Sequence, residues 1–156
     1  MDATIGGLAD DAARRIALST HDRSLLVEAG AGSGKTAVMA GRIALLVAAG
    51  ATPKAIAAVT FTELAASELV TRVHEFITAL LADEMPPELA TALPAGLSEA
   101  QRTNLRAAAS QVDEITCSTI HGFCQRLITP YPVEANIDPG AAVMDAGQAE
   151  LIFKEL

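Results

Sequence analysis

A chain of 156 residues, 51% of them hydrophobic, is long enough to bury one sizeable core, and one domain is the prior. Two cysteines do not make a disulfide framework, no apolar run is long enough to span a bilayer, and no basic segment followed by an apolar core opens the chain, so a cytoplasmic protein without a membrane partner is expected. The net charge of −8 argues against nonspecific nucleic-acid binding but leaves room for a local DNA groove, which needs only a few donors and stacking groups.

Abundant alanine and only 3% aromatic residues predict helices packed on a small sheet. Residues 1–7 read as frayed. Leu8 to Leu18 carries a short helical pattern with Leu8, Ala12 and Ile16 on one face and Arg14 and Arg15 off it. Thr20 to Arg23 reads as a turn, and Ser24 to Glu28 as the first strand. The glycine-rich stretch Ala29-Gly30-Ala31-Gly32-Ser33-Gly34 follows, and Lys35-Thr36 opens a helix that Gly50 stops after Ala49. Val38, Met39, Ile43, Leu46 and Val47 fall on one side of that helix.

Strand, glycine-rich turn and helix in that order are what phosphate binding requires. Glycines let successive backbone N–H groups curl toward one anion, and the helix start adds its positive dipole end. The spacing matches G-x-x-x-x-G-K-[ST] except that Ala29 holds the first position. Ala29 to Thr36 are therefore the candidate nucleotide-binding residues. Lys35 would reach the β- and γ-phosphates, and the Thr36 hydroxyl would ligate Mg²⁺.

Ile56 to Phe61 is a second apolar strand, so a βαβ unit and a parallel sheet are expected. Thr62 can cap the next helix, in which Leu69, Val73, Phe76, Ile77 and Leu80 recur at spacings of three and four. Residues 83–97, with three prolines and a glycine, read as a connecting loop. Ser98-Glu99-Ala100-Gln101 has the form of a capping box for a helix to about Val112. Ile115 to Ser118 is a third strand, and Thr119 to Ile128 a helix closed by Pro130 and Pro132. Residues 131–144 read as loop, and Asp145 to Gln148 as a helix start. A helix begun and not finished at Leu156 suggests the front part of something longer.

Three stretches resemble one family. Ala29 to Thr36 is the first. Thr60-Phe61-Thr62-Glu63-Leu64-Ala65-Ala66, continuing to Glu68-Leu69 and Arg72, resembles the next motif of superfamily 1 DNA helicases of the UvrD/Rep type. Ser118-Thr119-Ile120-His121-Gly122-Phe123 resembles the Thr-x-His-Gly motif that follows it. Val27 to Gly30 and Tyr131 to Asp145 are similar to the RecB/AddA branch in particular. The resemblance covers nearly the whole chain. It implies an α/β, RecA-like P-loop NTPase domain with an incomplete parallel sheet, the N-terminal portion of domain 1A, with residues 131–156 starting a further subdomain. It also implies ATP and Mg²⁺ as cofactors, and ATP-driven 3′ to 5′ translocation on single-stranded DNA with duplex unwinding in repair or recombination. Thr60, Phe61, Thr62, Thr119 and His121 would contact DNA. Partners would be single-stranded DNA, a second RecA-like domain in the rest of the chain, and a nuclease subunit if the RecB/AddA likeness extends that far.

Alternatives follow from the residues themselves. Without the resemblance, Phe61 at a strand end reads as core, and His121 as a helix-start residue bonded to backbone. Cys117, His121 and Cys124 could be taken as metal ligands, but they offer three donors without C-x-x-C spacing. Arg72 reads either as a solvated residue or as bonded to the preceding loop, and Glu63 and Glu68 as surface or cap residues.

Two departures from the family pattern matter. Asp11 stands where the family places a glutamine that grips adenine, and an ionised carboxylate can only accept. No apolar strand ends in the Asp-Glu pair that hydrolysis needs. Leu80-Leu81-Ala82-Asp83-Glu84 and Ala141 to Asp145 are weak candidates, so the segment alone is expected to be inactive, marginally stable or aggregation-prone. Two rival functions are a fragment that binds nucleotide or DNA without hydrolysis and a small P-loop kinase; the latter leaves Thr60–Thr62 and His121 unexplained.

Overall fold

In the computed structural model, which describes residues 10–138, 140, 141 and 154, helix α1 spans Asp11–Ser19 and helix α2 spans Lys35–Ala48. Leu8 lies outside the described residues. Of the face expected on α1, Ile16 turns to solvent, 53% exposed, while Ala17 and Leu18 are buried. A close approach explains the rotation. A Cβ placed on Gly41 of α2 would stand 2.8 Å from Leu18 Cδ2 and 2.6 Å from Leu89 Cδ2, so α1 packs Leu18 into the gap that glycine leaves.

Helix α2 is buried on more than the one side read from its sequence. Ala40, Ala44 and Ala48 are buried along with Ile43, Leu45 and Val47, because α1 and two later helices, α3 (Glu63–Leu81) and α4 (Glu99–Ala108), all pack around it. Alanine suits this position, since it lets several helices approach without leaving room for larger side chains. Met39, expected on the packed side, is exposed. Gly50, at φ +100°, ends the helix, and Asn104 Nδ2 donates to the Ala48 carbonyl at 2.9 Å. Gly41→Ala is expected to destabilise the fold by about 1 kcal/mol net, overpacking outweighing the gain in helix propensity. A urea midpoint at or above that of the parent would contradict the close-approach reading.

Strand β1 is Ala57–Thr60 and strand β2 is Thr116–Thr119. They pair in parallel, with Ala57 opposite Thr116 and Thr60 opposite Thr119. Helices α3, Glu63–Leu81, and α4, Glu99–Ala108, make the crossover between them. The expected face of α3 is the buried one: Leu69, Val73, Phe76, Ile77 and Leu80 all lie in the core. Thr62 caps α3, its Oγ1 accepting from the Ala65 N–H at 3.1 Å. Both bonds of the capping box form at α4. The Ser98 N–H donates to Gln101 Oε1 at 2.9 Å and the Gln101 N–H to Ser98 Oγ at 3.3 Å.

The stretch 83–97 is more than a connecting loop. It contains a 3-10 turn, Pro87–Leu89, and Leu89 and Leu93 are buried against the helices. The candidate carboxylates at Asp83 and Glu84 are not on a strand either. They follow the end of α3, Asp83 adopts φ +62° and its carboxylate pairs with Arg102.

The expected strand at Ser24 to Glu28 does not form. The segment is irregular, and Leu26 is 88% exposed. A strand needs a lateral neighbour to satisfy its N–H and C=O groups. Among the described residues the two strands present pair with each other, and no strand lies beside residues 24–28. A parallel sheet is therefore present, but the βαβ unit expected around α2 is not.

The chain forms two compact units, Met1–Ile120 and His121–Leu156. The second begins one residue into helix α5, Ile120–Ile128. Helix α5 has no buried residue, and turns follow it. Residues 142–150, including the expected helix start at Asp145 to Gln148 and the candidate carboxylate Asp145, lie outside the described residues. No described helix is long and apolar enough to cross a membrane.

Candidate phosphate-binding loop and strand-end cluster

Backbone geometry shapes the loop from Ala29 to Gly34. Gly32 and Gly34 adopt φ +73° and +83°, the left-handed region that side chains disfavour. Gly34 is the residue before the first turn of α2, whose leading N–H groups lack intrahelical acceptors. Nothing stands within 4 Å of where a Cβ would project from Gly30 or Gly32, so the loop presents open backbone. Ser33 closes the turn internally, its Oγ donating to the Gly30 carbonyl at 2.8 Å.

Lys35 folds back over the loop. Its Nζ donates to the carbonyls of Ala29, at 3.0 Å, and Gly30, at 2.6 Å. The ammonium thus sits beside the backbone on which the helix dipole converges, and anions are favoured there. Thr36 is exposed. A cleft of about 670 Å³ has Gly32, Gly34, Lys35 and Thr36 on one wall and Ser67, Glu68, Thr71, Arg72 and Glu75 of α3 on the other. Arg72 and Glu68 thus face the loop across a cleft, a placement that sequence spacing left open.

A second cleft, about 400 Å³ and mostly apolar, adjoins the same lysine and includes Asp10, Arg14, Leu25, Val27 and Met39. Asp11 is not among its lining residues; it sits half-buried in the first turn of α1, its carbonyl accepting from Thr91 Oγ1 at 3.4 Å. The α1 side chain that does reach the loop is Arg14. It donates through Nη2 to the Ser33 carbonyl at 2.8 Å and through Nε to Asp10 Oδ2 at 2.9 Å. The hydrogen bond from Arg14 holds the Asp10 carboxyl below its ordinary value, and the same bond raises Arg14. Periodicity alone put Arg14 off the apolar face. The Asp10/Arg14 spacing of four was the one signal in the sequence that this side chain has a fixed orientation.

The second cluster lies at the strand ends. Phe61 follows β1 directly and is 90% exposed, so this aromatic is not part of the core that the first unit forms. Thr60 Oγ1 donates to the Thr62 carbonyl at 3.0 Å, fixing the bend that turns the ring outward. Thr119, at the end of β2, is 8% exposed and its hydroxyl donates to Glu63 Oε1 at 3.0 Å. This bond ties the start of α3 to β2 and gives Glu63 a role beyond surface or cap. It also removes Thr119 from the surface on which a ligand could lie. His121 is exposed and opens the second unit. Among the described residues no three His, Cys, Asp or Glu side chains gather as metal ligands, and burial pushes the Cys117 thiol up, away from the thiolate a metal would need.

Fold and loop together define an α/β chain in which a glycine-rich, left-handed turn enters a helix beside a parallel strand pair. The chain belongs to the family described as the UvrD/REP helicase N-terminal domain, whose family model matches residues 10–156. Curated relatives are subunits named for an ATP-dependent helicase/nuclease. That of Clostridium perfringens is 33% identical over 92% of this chain, that of Bacillus cytotoxicus 31% over 90%, and that of Pediococcus pentosaceus 30% over 87%. In each case the match covers 10% of the relative, so the chain spans about a tenth of the length of the curated relatives it matches.

Proposed function

We propose that the chain is the N-terminal, ATP-binding portion of a RecA-like domain in an ATP-dependent DNA helicase. The enzyme would translocate 3′ to 5′ on single-stranded DNA and unwind duplex in repair or recombination. The observation that carries this reading is the loop itself: two left-handed glycines, open backbone, and Lys35 at the start of α2. In this reading Ala29 to Thr36 cradle the nucleotide phosphates.

The residues fit ATP with Mg²⁺. The backbone at Gly30 and Gly32 is unobstructed, Lys35 supplies positive charge, and the Thr36 hydroxyl is exposed beside the loop. Mg²⁺, when bound, neutralises phosphate charge. The carboxylates for hydrolysis and a second RecA-like domain would come from other parts of the protein. Residues 24–28 would then be a sheet strand whose neighbours lie there as well, which accounts for the exposure of Leu26. The name the relatives carry supports a nuclease as a further part of the assembly.

Phe61 is proposed as a stacking platform for a base, with the first-turn N–H groups of α3 and the Thr62 hydroxyl near a phosphate. Thr60 shapes this turn, and buried Thr119 anchors it through Glu63 rather than touching DNA. His121, exposed in the second unit, is proposed separately as a DNA contact. The full-length protein should hydrolyse ATP faster when single-stranded DNA is added; no stimulation would sink the helicase reading. Phe61→Ala should weaken single-stranded DNA binding about 10- to 100-fold while ATP affinity measured without DNA stays unchanged. Equal DNA affinity in variant and parent would remove Phe61 from the DNA contacts.

A further inference from the structure

Among the described residues, Arg14 is the one side chain from outside the Ala29–Thr36 motif that bonds to its glycine-rich loop. The other side-chain bonds of the loop are its own, from Ser33 and Lys35 to the carbonyls of Ala29 and Gly30. Arg14 Nη2 donates to the Ser33 carbonyl at 2.8 Å, and Arg14 Nη1 stands 3.6 Å from where a Cβ on Gly34 would project. The guanidinium therefore covers the Ser33–Gly34 peptide on one side.

That peptide is trans, so its carbonyl and its N–H point in opposite directions. A donor fixed on the Ser33 carbonyl consequently aims the Gly34 N–H away from α1. Glycine at φ +83° has little intrinsic preference among backbone conformations, so an external contact decides the direction of this amide. Asp10 holds the guanidinium in place through Nε, one helical turn from Arg14 on the surface of α1.

Taking the loop to be the phosphate cradle proposed above, we infer that Arg14 is a positioning residue for phosphate binding: it orients the Ser33–Gly34 peptide so that the Gly34 N–H points at the nucleotide phosphates. Arg14 itself touches a carbonyl, not the ligand. Helix α1 thereby acts on affinity for the triphosphate rather than on recognition of the base.

The test uses the full-length protein with Mg²⁺ and equilibrium dialysis of three probes: ATP, GTP and inorganic tripolyphosphate. Arg14→Ala should weaken all three by one common factor of about tenfold, the loss expected for a charge-assisted bond. The KM for ATP should rise by that factor while kcat at saturating ATP stays near that of the parent. Arg14→Lys, which keeps one donor, should recover part of the loss, and single-stranded DNA affinity without nucleotide should not move. Loss confined to ATP and GTP, with tripolyphosphate unaffected, would place Arg14 on the nucleoside and overturn the inference; so would unchanged affinity for all three. If Arg14→Ala does not fold, Arg14→Lys decides alone, and parental affinity for tripolyphosphate together with weakened ATP binding would count against the inference. A parent protein that binds none of the three probes would instead remove the phosphate-cradle reading itself.

Discussion

Lys35→Ala is expected to lower kcat/KM for ATP hydrolysis by the full-length protein at least about 100-fold, as each charge-assisted bond to a phosphate is worth about 1.5–3 kcal/mol. The side chain is exposed, and its ammonium is held by two loop carbonyls, Ala29 at 3.0 Å and Gly30 at 2.6 Å. A nucleotide phosphate in the loop would exchange those neutral acceptors for anionic ones, and truncation to alanine removes them all. Neither carbonyl is buried, so the variant should retain the unfolding midpoint of the parent. Steady-state hydrolysis measured with saturating single-stranded DNA decides the matter. Turnover within about threefold of the parent, on the scale where one lost charged bond alone costs about tenfold, would mean the loop does not bind the reacting phosphates.

Leu105→Ala is expected to cost this unit about 2–5 kcal/mol, the range for deleting a buried leucine side chain. Leu105 has no exposed surface, and α4, which carries it, packs on both α2 and α3. Its neighbour Asn104 holds the C-terminal carbonyl of α2 at Ala48, so a loosened α4 also loosens the helix that begins at Lys35. Nucleotide affinity should therefore fall together with stability. Arg15, exposed on α1, is the control: Arg15→Ala should leave the urea midpoint nearly unchanged. A Leu105 variant with the parental midpoint would show that α4 is not part of the cooperative core.

Most helices are legible in the sequence. The face of α3 and the cap at Thr62 depend on residues a few positions apart, and so does the capping box at Ser98. Local spacing is enough to specify them. The face of α1 is not legible in the same way. Its orientation depends on the gap at Gly41, a residue 25 positions after Ile16, and no periodicity within α1 encodes that. Likewise Leu89 reads as part of a proline-rich loop until the same gap gives it a partner. Of the candidate site, the loop and Lys35 are readable because a glycine-lysine-threonine register has few other uses. The roles of Arg14 and Glu63 are not, since each bonds to a segment distant in sequence.

The sequence by itself determined the elements whose hydrogen bonds close within one turn: the helices, their caps, and the glycine-rich entry to α2. Tertiary structure alone decided everything that needs a lateral partner. It paired β1 with β2 and left Ser24 to Glu28 irregular, although all three stretches read as strands in the sequence. A helix satisfies its own backbone, whereas a strand exists only where another strand accepts and donates beside it. It likewise turned Phe61 outward, buried Thr119 against Glu63 and brought Arg14 to the Ser33 carbonyl.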